Sequence, residues 1–116
     1  MSQFDYRIPN NRVVGIIGRK IYLEDMSSQM IDIVKRLGAF QRPIGTDLVW
    51  MIKCSDDDEL MKTLQELNRL GFFFDGANTG WSPADVFADF IERKKLSVKF
   101  KEIRSRGPGD WFIVER

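Results

Sequence analysis

Hydrophobic residues recur along this chain with two periods, and three stretches at helical spacing stand out. In the first, Met30, Ile31, Ile33, Val34 and Leu37 fall on one side of a 3.6-residue repeat, and Gly38 follows as a left-handed stop. Ser27 or Asp25 is placed to cap its start. The second keeps Leu60, Leu64 and Leu67 on one face and stops at Gly71. It predicts Ser55 as N-cap, with Asp56, Asp57, Asp58 and Glu59 filling the first turn. The third opens on Ser82-Pro83-Ala84-Asp85, which supplies a cap, a proline where no N–H is needed and an acid at the third position. Its apolar stripe is Val86, Phe87, Phe90 and Ile91. Lys35-Arg36-Leu37-Gly38 and Asn68-Arg69-Leu70-Gly71 look alike because two helices end in the same stop signal. They are not repeats of a larger unit.

Strands lie between and beyond these helices. Leu48 to Cys54 is nearly continuous apolar sequence, as expected of a strand covered on both faces. Val13–Ile17 and Ile21–Leu23 read as a short pair, and Phe72–Phe74 as a brief strand after a helix stop. Val98 and Phe100 alternate with Lys99 and Lys101, and a slip at Glu102-Ile103 predicts a bulge or a strand end. Arg106-Gly-Pro-Gly-Asp110 followed by Trp111–Glu115 predicts a terminal β-hairpin. The resulting order is β-β-α-β-α-β-α-β-β. The fold class expected is α+β, a mixed and largely antiparallel sheet with three helices, forming one domain over residues 1–116. Leu64, Leu67, Phe87, Phe90, Trp50 and Ile113 are expected to share one core.

Composition adds function classes that are disfavoured. The 116 residues include no histidine, the side chain on which most hydrolytic mechanisms near neutral pH rely. The one cysteine, Cys54, therefore has no imidazole base, and it reads as a buried thiol at a strand end. The single thiol also points to a reducing, cytoplasmic setting. The N-terminal residues have no signal-peptide pattern, and no apolar run approaches membrane-spanning length. We expect no enzyme activity, no cofactor and no metal. Consecutive helical carboxylates such as Asp56 to Glu59 point about 100° apart and do not converge on one ion.

The net charge of +1 hides a division. Residues 93–106 carry seven basic side chains and one acid, whereas the chain before them is net acidic. Lysines at a helix C-terminus and along an edge strand have local reasons to be there. A basic patch of Lys95, Lys99, Lys101 and Arg104 is nonetheless a candidate surface for nucleic acid or an acidic partner. With net charge near zero and no stacking aromatics evident, nucleic acid is not expected to be the main partner. The acidic turn Asp56, Asp57, Asp58 and Glu59 is the first candidate surface for a protein partner. Asp75, Asn78 and Trp81 follow, in a loop leading from a strand into a helix. An exposed Trp81 would be an interface anchor, and a packed one a staple beside the Ser82 cap.

Two resemblances bear on function. Ile8 to Lys20 resembles the opening of a K-homology RNA-binding domain, with Gly18-Arg19-Lys20-Ile21 at the place of its GxxG loop. The second glycine is absent, and the later element order differs. Leu70-Gly71-Phe72-Phe73-Phe74-Asp75-Gly76, Gly80-Trp81-Ser82-Pro83-Ala84 and Gly107-Pro108-Gly109-Asp110-Trp111 together look like small bacterial immunity proteins. These neutralise toxins of contact-dependent growth inhibition or related secretion systems. That resemblance implies a cytoplasmic toxin inhibitor that binds one cognate toxin domain, covers its active site and catalyses nothing.

Overall fold

The structure is a computed structural model that describes residues 13–23, 28–45, 47–76, 81–107 and 110–116. Among these the order is β1 (Val13–Ile17), β2 (Lys20–Leu23), α1 (Ser28–Arg36), β3 (Phe40–Ile44) and β4 (Asp47–Lys53). Then follow α2 (Asp57–Arg69), β5 (Phe73–Asp75), α3 (Pro83–Arg93), β6 (Lys101–Gly107) and β7 (Asp110–Glu115). The seven strands form one mixed sheet in the order β3-β4-β2-β1-β5-β6-β7. Three helices with a mixed sheet ending in the β6–β7 hairpin make this an α+β fold, as the sequence predicts.

Connection geometry explains why the helices share one side. β2 to β3, β4 to β5 and β5 to β6 each join strands that run the same way through a helix. The first crossover moves toward the β3 edge along a strand opposed to β1, and the other two move toward β7 along strands parallel to β1. Reversing both direction and travel leaves a right-handed crossover on the same face. All three helices accordingly feed one core, which includes Val34, Leu64, Leu67, Phe87 and Phe90 against Val14, Ile21, Trp50, Ile52 and Phe74. Phe74, Phe87 and Phe100 meet at its centre, with centroids 4.6, 5.3 and 4.9 Å apart.

Four sequence expectations are corrected. The α2 cap is Asp56, not Ser55: Asp56 is extended and accepts the Glu59 N–H at 2.8 Å, while the Ser55 hydroxyl donates to the Glu59 carboxylate. A strand was missing from the expected order. β3 contains Pro43, which is tolerated because β3 lies at the sheet edge. Ile113 is outside the core, since it pairs with Ile103 on the face away from the helices and is 39% exposed. The alternation does not slip at Glu102-Ile103: Phe100, Glu102 and Arg104 all face the helices, and the irregularity falls between Ser105 and Gly107. Ser27 and Asp25 lie outside the described residues.

All three helices end in the same hydrogen-bond pattern. Gly71 N–H donates to the Asn68 carbonyl and Phe72 N–H to that of Leu67. The Gly38/Ala39 and Lys95/Leu96 pairs repeat the arrangement. The pivot must be left-handed, which glycine accepts at φ +93 and +91, but after α3 it is Lys95 at φ +55. No helix among the described residues is long and apolar enough to cross a membrane.

Candidate functional site

Two polar regions dominate the structure, one at each of two helix starts. At α2, Asp56 caps the helix and Asp57 accepts the Arg19 guanidinium at 3.1 Å from the β1–β2 turn. Asp58 lies 3.9 Å from Lys94, just past the end of α3. The Asp57 and Asp58 side chains remain 60% and 74% exposed. The carboxylates thus complement the helix dipole, tie in two basic side chains and still face solvent.

The α3 start is built into the fold. Ser82 N–H donates to Asp85 Oδ2 at 3.0 Å, the Ser82 hydroxyl donates to the same oxygen at 2.9 Å, and Asp85 N–H donates back to Ser82 Oγ at 3.1 Å. Ser82 is only 2% exposed. The Arg116 guanidinium reaches Asp85 Oδ1 and Glu102 Oε1, both at 3.1 Å, and Arg104 Nε donates to Glu102 Oε2 at 2.9 Å. Glu102 is 1% exposed, so this carboxylate is buried between two arginines. Gly76 packs directly on it, and a Cβ there would overlap the carboxylate. The Ser82 N–H bond and then the Arg116 guanidinium hold the Asp85 carboxyl below its ordinary range.

Immediately before this rigid cap, Trp81 is 69% exposed. Of the alternatives for Trp81, the packed staple is therefore not what forms. Asp75 ends β5 on the sheet face away from the helices, since it pairs with Ile103. In sheet order it lies three strand positions from β4, about 14 Å at ordinary spacing, so it is separate from the acidic turn. Asn78 lies outside the described residues. The basic segment disperses. Arg93 pairs with Asp89, Lys94 turns toward Asp58, Lys95 forms the α3 stop, and Arg104 points inward to Glu102. Lys99 and Lys101 stay together along a groove of about 270 Å³ with Asn68, Phe72 and Glu115.

A larger cleft, about 820 Å³, opens at the β1–β2 turn, lined by residues that include Arg19, Lys20, Tyr22, Lys53, Cys54 and the carboxylate of Asp57. Sequence reasoning missed it because Lys20 and Lys53 are 33 residues apart and meet only through strand register. Gly18-Arg19, the site of the K-homology likeness, is the two-residue turn of this hairpin, with Gly18 at φ +64. Cys54 is buried, and that burial pushes its thiol up from the ordinary value. Its sulfur contact is Thr63 Oγ1 at 4.0 Å, which is no base. Among the described residues no three or more metal-ligating acids or thiols gather. No family model, curated protein or solved structure matches the chain.

Proposed function

We propose that this chain is a non-catalytic protein-binding module, an immunity protein that binds and neutralises a cognate toxin domain in the cytoplasm. The observation that carries the reading is Trp81. A large aromatic side chain stands 69% exposed, one residue before a cap fixed by three hydrogen bonds. An exposed tryptophan buries a large apolar surface on docking, and such residues dominate interface energetics. Asp57 and Asp58 add an exposed acidic surface that would steer association with a basic toxin active site and set specificity. The immunity role itself rests on the three glycine-bearing segments, two of them with a tryptophan, that resemble such proteins.

The test is to co-express the chain with the product of its adjacent gene. A stable one-to-one complex and rescue of growth from that product are expected. If the adjacent product neither binds nor harms growth, the immunity reading fails. The alternative, a small nucleic-acid-binding or regulatory domain using residues 93–106, is second because Arg93 pairs with Asp89 and Arg104 with the buried Glu102.

A further inference from the structure

The cleft at the β1–β2 turn, which Asp57 of the acidic turn helps to line, also holds two lysines that neither the acidic turn nor Trp81 explains. Lys20 on β2 and Lys53 on β4 are direct cross-strand partners, and Ile17 pairs with Lys20 across the hairpin. Two residues further in, Tyr22 stands in register between Gly15 and Met51. The two-residue period of a strand puts both rows on the face away from the helices. Like charges directly opposite each other disfavour a sheet. Neither lysine has a carboxylate partner among the described residues. Arg19 is held by Asp57, and the Lys53 ammonium lies 5.9 Å from the Phe40 ring centroid.

We propose that this cleft binds a nucleotide unit, its phosphate between Lys20 and Lys53 and its base against Tyr22. Cross-strand Cβ atoms about 5 Å apart let two ammonium groups converge on the oxygens of a single phosphate. Gly15 puts no side chain beside the half-buried Tyr22, and a Cβ on Gly18 would meet nothing within 4 Å, so the cleft is open at its turn end. A carboxylate-rich peptide would satisfy the lysines but leave the ring unused, whereas a nucleotide supplies both a phosphate and a planar face. The unit is either a free nucleotide or one residue of a single strand. The inference does not depend on the protein-binding role.

The test is a ¹⁵N NMR titration of the full chain with adenosine triphosphate and, separately, with a single-stranded hexanucleotide. Saturable shifts are expected at Gly15 to Lys20, Tyr22, Lys53 and Cys54. Tighter, salt-steep binding of the hexanucleotide assigns a strand, and equal or tighter binding of the triphosphate assigns a free nucleotide. Lys20→Glu and Lys53→Glu should each weaken binding about tenfold or more, with folding retained because the new carboxylate faces a lysine. Tyr22→Leu should weaken the nucleotide but leave inorganic pyrophosphate unchanged. No saturable shifts with either probe, shifts elsewhere only, or affinity unchanged in both lysine variants would overturn the proposal. Polyglutamate binding at the same residues as tightly as the nucleotide would do so too.

Discussion

The starts of α2 and α3 use the same local device to different ends. Each has an extended cap residue whose side chain accepts an N–H three residues on, with acid in the first turn. At α2 the device faces water and its partners are exposed Arg19 and Lys94. At α3 it is buried, and Arg116 ties it to Glu102 beneath. The solvated start keeps its paired carboxylates at the surface, while the buried one fixes the backbone that follows Trp81. A capping motif in sequence therefore specifies a helix end, and its surroundings decide whether that end is surface or scaffold.

The largest expected effect breaks the buried half of this comparison. Glu102→Ala would leave Arg104 and Arg116 without their shared carboxylate. Removing one side of a buried ion pair costs about 3–5 kcal/mol, and the partial exposure of both arginines puts the expected loss near the low end. Urea denaturation measures it, and a loss under about 1 kcal/mol would mean the network is not coupled to folding. Ser82→Ala should then cost about 1–2 kcal/mol, more than Asp56→Ala at about 0.5–1, because Ser82 is buried and doubly used. Equal losses would remove the distinction between the two starts.

A gain sharpens the contrast between helix stops. Lys95→Gly should stabilise the fold by about 1 kcal/mol by relieving the left-handed strain that Gly38 and Gly71 avoid. Thermal unfolding would show it as a raised midpoint, and a lowered midpoint would refute the strain. The acid limb gives the smallest signal. The Asp85 carboxyl is held below its unfolded value, so its contribution is present above the ordinary carboxylate range and fades as pH falls through that range and below. Asp85→Asn should flatten the part of the stability–pH curve below about pH 4 that this group supplies. An unchanged acid limb would show that the Ser82 and Arg116 bonds do not favour the ionised form.

Much of the fold was legible because local signals were unambiguous. Ser82-Pro83-Ala84-Asp85 admits one cap, and Gly38 and Gly71 each end a clear apolar stripe. Ser55 to Asp58 offered four consecutive residues able to cap, so the choice of Asp56 depended on geometry. β3 was hidden because Gln41, Arg42 and Pro43 lack strand character and pair only as an edge. Ile113 was misplaced because alternation gives two faces without saying which one the helices cover. Parity could have found Glu102: it stands two residues from buried Phe100 and two from Arg104, an opposite charge on the same face. The exposure of Trp81 was legible as one of two alternatives. The Lys20–Lys53 pair needed strand register, which no local pattern carries.

The most direct test of the protein-binding account is calorimetric titration of the adjacent gene's product with three proteins. These are the native chain, Trp81→Ala, and a triple variant reversing Asp57, Asp58 and Glu59 to Lys. Trp81→Ala is expected to lose at least about 2 kcal/mol of binding, roughly thirtyfold, with unfolding unchanged because the side chain is exposed. The triple reversal should mainly slow association and reduce its salt dependence. Full affinity in the Trp81→Ala variant would contradict the claim that Trp81 anchors the interface.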